Sequence, residues 1–377
     1  MKVGVDARLL SRPITGIGRY TLEMCRALVK LENTSLYLYS PAPVFTEYKL
    51  GLESAIIRFG NWDNGFLRQL WSESYLPLWA KKDGVDVFWG PAHRLPRCLP
   101  DKMARVVTVH DLVWKYAGET MRPLSRFLER YQMPQAICVA DEVVADSQAT
   151  ADAVREEFHA DLGRLSVISL GTTLSNGAAP SGVLQPLGID RPYFLFVGTL
   201  EPRKNLIRLL TAYSRLPESL KEQVMMVIAG GKGWGGVNID VLVGNLGLKK
   251  HVRILGYVDE PTLAALYRNA QFLAMPSLYE GFGLPLIEAM AYGTPALTAD
   301  NSSMPEVAGD AGLLADARNI GSIGNGLSQL ITDAELRSKL AGNAKRNAAR
   351  FNWDKSAQQL VTVFKKAISL RKRGSLK

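Results

Sequence analysis

Apolar residues fall along this chain in short runs separated by amphipathic stretches. In the first half, Val3–Val5, Ser35–Tyr39, Val85–Trp89, Arg105–Val109, Glu142–Ala145 and Leu165–Ile168 read as strands. The pattern restarts with Tyr193–Val197, Met225–Ala229, Val252–Leu255, Phe272–Met275 and Pro295–Thr298. Between most of these runs the apolar positions switch to helical spacing, as at Leu206, Leu209, Leu210 and Tyr213. Such alternation predicts parallel sheets with helices on their faces. Residues 171–190, GTTLSNGAAPSGVLQPLGID, lose the periodicity and concentrate Gly, Pro and Ser, so a linker is expected there. At 377 residues the chain exceeds one usual core. The expected division is 1–172, a linker at 173–190, and a second α/β half at 191–359.

The densest candidate chemistry lies in Ser277–Gly293, SLYEGFGLPLIEAMAYG. Glu280 and Glu288 flank the loop Gly281, Phe282, Gly283, and Leu284 with Pro285 opens a helix; Pro285 suits its first position and Gly293 its stop. A helix N-terminus favours an anion, yet two glutamates stand beside it. A ligand with both phosphate and hydroxyls reconciles the two, and a nucleotide-sugar is one. On its own the stretch also reads as an ordinary loop–helix junction.

A second element shifts the balance. Residues 193–206, YFLFVGTLEPRKNL, run from strand through Gly198 to a helix with Asn205 as expected N-cap, and place Arg203 and Lys204 in the turn. Two fixed cations there suit a diphosphate, Arg forking onto two oxygens and Lys acting as a point charge. A solvated basic turn is the plain alternative. Ligands of open α/β sheets bind beyond the carboxyl ends of the strands. Other candidates share that placement: Gly16 and Gly18 after the first strand, where missing Cβ atoms let main-chain N–H groups approach a phosphate or sugar, and His110 with Asp111 after Arg105–Val109. No full GxGxxG follows the first strand, which counts against a dinucleotide domain.

VGTLEPRKN followed by Glu280-x7-Glu288 resembles the donor half of glycosyltransferase family 4. The likeness extends along the chain through VGVDAR…GIGRY, TVHDL at 108–112, ADSQAT at 145–150, GYVDEPTLAALYRNA at 256–270 and FNWDKSA at 351–357. The resemblance implies a retaining, metal-independent enzyme of the GT-B type, α/β with two Rossmann-like domains facing across a deep cleft. Its C-terminal helix, 354–370 here, would cross back so that 360–377 packs on the N-terminal, acceptor-binding domain. Arg203 and Lys204 would stabilise the departing diphosphate, Glu280 would sit by the donor sugar, and Glu288 would bind the ribose hydroxyls. His110 would contact the sugar near the reacting carbon, with Asp111 orienting it or binding a sugar hydroxyl. Gly16 and Gly18 would lie over the diphosphate, and Gly230 of AGGKGW with Tyr257 and Val258 would hold the base, largely by main chain. His93, His159 and His251 receive no role.

Overall similarity to bacterial mannosyltransferases of surface-polysaccharide assembly implies GDP-mannose as co-substrate, no separate cofactor, and a saccharide or polyprenyl-linked acceptor. UDP-glucose and other UDP-sugars remain open. A glycosidase would leave the two cations without work. A sugar-nucleotide epimerase or a non-catalytic sugar-binding protein on the same fold are the further alternatives.

Composition adds a location. No apolar run is long enough to span a bilayer, and MKVGVDARLL enters a strand without a signal-peptide core, so a cytoplasmic protein is expected. Cys25, Cys98 and Cys138 lack metal or disulfide spacing and read as buried thiols. A net charge of +9 calls for an anionic partner. No nucleic-acid motif is present. Arg122, Arg126 and Arg130 form a basic helical stripe. Phe66, Leu67, Leu70, Trp71, Tyr75, Leu78 and Trp79 interleave with Arg68, Lys81 and Lys82, and Lys365, Lys366, Arg371, Lys372 and Arg373 follow at the tail. Docking on an anionic membrane face is the expectation, with a solvated face over core aromatics as the alternative.

Overall fold

The structure is a computed structural model. It describes every residue except 15, 63, 159–161, 174–181, 183, 236–237 and 375–377, and leaves out the side chains of 66 and 162. Half of the expected linker and His159 therefore lie outside the described residues. The chain forms two compact units, 1–112 with 124–171 and 352–377, and 113–123 with 172–351.

The first unit holds a seven-stranded sheet. Its strands are β1 (Lys2–Asp6), β2 (Ser35–Ser40), β3 (Ile56–Phe59), β4 (Val87–Gly90), β5 (Ala104–Val109), β6 (Glu142–Ala145) and β7 (Leu165–Val167), in the order β3-β2-β1-β4-β5-β6-β7. Every pairing is parallel. β1, β4 and β6 are almost wholly buried, as strands covered on both faces must be. β3 is an edge strand with three of its four residues exposed, and so lacks the apolar run that would have announced it.

The last helix, Trp353–Gly374, belongs to this unit. Phe364, fully buried, meets the Trp89 ring at 6.1 Å, and Ser356 donates to the Ser169 carbonyl at 2.6 Å. Burial of one such ring contributes about 2–3 kcal/mol. Lys366 pairs with Glu142 at 2.9 Å and Arg371 with Asp141 at 2.9 Å. These two tail cations are spent inside the unit, against the expectation that the whole basic tail serves a membrane.

The second unit has six parallel strands: β8 (Tyr193–Val197), β9 (Met225–Ala229), β10 (Val252–Gly256), β11 (Leu273–Met275), β12 (Ala296–Ala299) and β13 (Gly312–Ala315), ordered β10-β9-β8-β11-β12-β13. β13 was not expected. It is an edge strand with three of its four residues partly or fully exposed. The core is dense around β8, where Phe194 stacks on Phe272 at 5.2 Å and Phe194, Leu195 and Phe196 are fully buried. Both sheets reverse their strand order beside their first strand, which fixes where a ligand site should lie.

Only Cys25 is buried; Cys98 and Cys138 are exposed, correcting the reading of three buried thiols. No helix among the described residues is long and apolar enough to cross a membrane.

Candidate functional site

In the second unit the order reverses between β8 and β11. The chain leaves β8 through Gly198 into a short 3-10 turn, Pro202–Lys204, and leaves β11 toward Glu280. The expected residues converge there. Arg203 Nη1 donates to Glu280 Oε2 at 2.5 Å, and Lys204 Nζ donates to Glu280 Oε1 at 2.7 Å. Arg203 also donates to the Tyr279 carbonyl at 3.0 Å and to Glu201 Oε1 at 2.7 Å. Glu280 is 5% exposed. Burial pushes its carboxyl up, but Arg203 and Lys204 pull it down further, to about 2. It is therefore a permanent carboxylate with each oxygen held by a cation. A proton donor or a free nucleophile is not what this geometry builds.

The turn is rigid for identifiable reasons. Asn205 occupies the N-cap position of helix Leu206–Ser214 but in the left-handed region, φ +61°, and makes no side-chain cap. Its Nδ2 instead donates to the carbonyls of Pro276 at 2.8 Å and Ala317 at 2.7 Å, tying the turn to the end of β11. The expected capping role is thus replaced by a brace across the site. Glu280 is fixed by its own main chain: its N–H donates to Ser302 Oγ at 3.1 Å and its carbonyl accepts from Ser303 Oγ at 2.9 Å. Phe282 is buried, with its ring edge-on to Phe351 at 5.4 Å.

Gly283, at φ +101°, is the N-cap of helix Leu284–Ala291, so Pro285 takes the second helical position rather than the first. Glu288 lies one turn along that helix, half-buried, and accepts from Tyr267 Oη at 2.9 Å. The turns after β8, β9 and β10 are stitched by main chain. Gly198 N–H donates to the Ala229 carbonyl at 3.1 Å, Leu200 to Gly231 at 3.1 Å, and Gly230 to Gly256 at 2.7 Å. Gly230 is obligatory, since a Cβ there would lie 1.9 Å from the Gly198 carbonyl oxygen. Tyr257 follows β10 with 83% of its surface exposed.

In the first unit, Gly16 and Gly18 stand at the start of helix Gly16–Leu28, Gly16 exposed and Gly18 buried. His110 directly follows β5 but is only 6% exposed. Its Nδ1 bonds Asp146, not the expected Asp111, and its Nε2 lies 2.6 Å from the Pro91 carbonyl. Two acceptors on one ring call for the doubly protonated form. Burial opposes that charge, but Asp146 and the Pro91 carbonyl raise the His110 pKa overall. Tyr20 packs edge-on to the ring at 4.7 Å. His93, given no role from sequence, accepts the His110 main-chain N–H on Nε2 at 2.9 Å and faces Glu129 at 3.4 Å. The missed partner had a signal. Val109 pairs with Ala145 in the parallel register, so the next residues, His110 and Asp146, are neighbours.

The basic stripe is partly as expected. Arg126 and Arg130 are exposed on helix Pro123–Val139, whereas Arg122 precedes the helix. The same helix exposes Leu124 (70%), Phe127 (68%) and Tyr131 (53%). In the aromatic segment, by contrast, Trp71 is fully buried, so that ring is core.

Two family models match, one over each half. Residues 14–176 match Glycosyltransferase Family 4, and residues 185–347 match Glycosyl transferases group 1. O-antigen chain mannosyltransferase B of Escherichia coli is 29% identical over 383 residues, covering 97% of this chain and 100% of that protein. The D-inositol 3-phosphate glycosyltransferase of Salinispora arenicola (strain CNS-205) is 30% identical over 67% of this chain, which spans 60% of that relative. Among solved structures, sucrose-phosphate synthase from Thermosynechococcus elongatus superposes with a TM-score of 0.77 at 19% identity, covering 98% of this chain and 99% of that one. Anabaena Alr3699/HepE in complex with UDP and glucose gives 0.75 at 19% identity, covering 97% and 99%.

Proposed function

Because the chain belongs to glycosyltransferase family 4 and has its two-domain GT-B fold, we propose that it transfers mannose from GDP-mannose, with retention, to a saccharide or polyprenyl-linked acceptor of a surface polysaccharide. The observation that carries this reading is the end-to-end match to an O-antigen chain mannosyltransferase, 97% of one chain against 100% of the other.

The second unit takes the nucleotide-sugar and the first the acceptor. The main-chain turns at Gly230, Tyr257 and Val258 receive the base, and Glu288 the ribose hydroxyls. The diphosphate meets Arg203 and Lys204, which Glu280 holds in place in the ligand-free protein. As the sugar–phosphate bond breaks, charge grows on the leaving diphosphate, and the two cations with the first turn of helix Leu284–Ala291 stabilise it. Glu280, relieved of part of its ion pairing, accepts a hydroxyl of the donor sugar. A charged hydrogen bond contributes roughly 1.5–3 kcal/mol, so losing either cation lowers binding or rate by about one to two decades. No metal enters this scheme.

UDP-glucose is the second donor to test, since the HepE complex that shares this fold holds UDP and glucose. Labelled GDP-mannose and UDP-glucose are supplied in parallel with a saccharide acceptor. Nucleotide release coupled to acceptor labelling, abolished by Lys204→Ala, supports transfer and identifies the donor. Epimerised nucleotide-sugar without labelling overturns the reading.

Contact with the cytoplasmic face of a membrane through Arg122, Arg126 and Arg130 belongs to the same proposal and is supported by the exposed Leu124, Phe127 and Tyr131 on that helix. Flotation with anionic vesicles at low salt tests it, and failure to float rejects it.

A further inference from the structure

The first sheet also reverses its order, between β1 and β4, and the chain leaving those strands carries two arginines that the donor chemistry does not use. Arg8 lies just after β1. Its Nε donates to both Asp6 oxygens at 2.9 Å, and its Nη2 donates to Asp6 Oδ2 at 2.6 Å and to Ser72 Oγ at 2.6 Å. The guanidinium stands 5.8 Å from the Trp71 ring centre, and the side chain is only 14% exposed. Arg8 is thus locked in one pose, with Nη1 making no hydrogen bond to the described residues.

Arg94 follows β4 by four residues and is partly buried. No described residue forms a hydrogen bond or ion pair with its guanidinium. It is near enough to feel Arg8, Glu129 and Asp6. The two carboxylates are engaged elsewhere, Asp6 by Arg8 and Glu129 by His93 at 3.4 Å. Burial and the like charge of Arg8 together draw the Arg94 pKa down. A guanidinium has five donors and stays charged, so leaving it half out of water without an acceptor is costly. Arg8 and Arg94 follow neighbouring strands at the switch point, with Asp6, Glu73 and Glu129 nearby, and the guanidinium of Arg94 keeps donors that none of these carboxylates takes.

We infer that Arg94 and the free Nη1 edge of Arg8 bind a phosphate or diphosphate group carried by the acceptor substrate. This rests on the reading above in which the first unit receives the acceptor. The arginines then read the anionic end of the acceptor, while Asp6 and Ser72 hold Arg8 in register for it.

Calorimetric titration of the full chain with inorganic pyrophosphate tests the site. It is performed in a Lys204→Ala background, which removes one of the two donor-side cations and leaves Arg203 as a constant contribution in every variant. Arg94→Gln should weaken pyrophosphate binding about tenfold or more, the loss of a charged hydrogen-bond pair. Arg94→Lys, which keeps the charge, should fall between and guards against misfolding. Equal pyrophosphate affinity in all three overturns the inference.

A second measurement separates it from the general function. With the Lys204 side chain intact, Arg94→Gln should raise KM for a phosphorylated acceptor and leave nucleotide-sugar affinity unchanged. An unchanged acceptor KM with normal transfer refutes the anion site and spares the glycosyltransferase reading. Loss of pyrophosphate binding in a protein that transfers no sugar refutes that reading and leaves no acceptor for this site to serve.

Discussion

Replacing Glu280 by Gln keeps its shape and removes the charge that both Arg203 and Lys204 hold. Folding moves this carboxyl from an ordinary 4.5 to about 2 even though burial alone would raise it, so the two cations outweigh desolvation. The difference corresponds to about 3 kcal/mol of native-state stability. Because the folded value lies below the unfolded one, this contribution is complete above about pH 4.5 and is lost as pH falls toward 2. In the Gln variant two poorly exposed cations lose their shared counter-ion, a change that costs roughly 3–5 kcal/mol. Thermal denaturation should show a drop of about 6–20 °C for a unit of this size. Nucleoside diphosphate supplies the missing negative charge, so its addition should restore most of that loss. Its affinity should hold or tighten while turnover falls by about one to two decades. A Gln variant with wild-type thermal stability, or one whose nucleotide affinity falls in step with turnover, refutes the assignment of Glu280 as the counter-ion of the two cations.

Asp146→Asn should lower the His110 pKa, read by NMR titration, because burial then acts without its opposing carboxylate. The raised wild-type value means that this pair stabilises the fold fully below about pH 6.5 and less as pH rises through the folded pKa; the variant should flatten that profile, and an identical profile rules the pair out. Gly230→Ala puts a Cβ 1.9 Å from the Gly198 carbonyl oxygen at φ +157°, whereas a Cβ on Gly231 meets nothing within 4 Å. The first should cost about 1–3 kcal/mol and weaken nucleotide binding, and the second neither; equal behaviour would remove the stitched turns from the site. Glu288→Ala should raise the dissociation constant for the nucleotide-sugar by about one decade with little change in kcat, checked by calorimetry beside steady-state rates.

Central strands were legible because burial on both faces writes a continuous apolar run, as in Tyr193–Val197, and β8 has those bounds. Of the four edge strands, β7 and β10 were legible as well, whereas β3, with three of four residues exposed, and β13, with only Ala315 buried, were not. The same distinction runs through the sites. Arg203 and Lys204 are adjacent in sequence and announce a cationic turn, but their tie to Glu280 is made by topology. β8 and β11 are neighbours only because the strand order reverses there, with Leu195 opposite Leu273.

His110 makes the point at finer grain. Its neighbour Asp111 looked like the partner because adjacency is what a sequence displays. Adjacent residues beyond a strand point apart, whereas residues at equal depth on paired parallel strands point alike. The register Val109 to Ala145 therefore gives His110 to Asp146, across 36 residues. Arg94 stayed invisible for the converse reason. What singles it out is not a motif but the absence of an acceptor among the described residues around it, and an unmet charge is legible only once every neighbour has been placed.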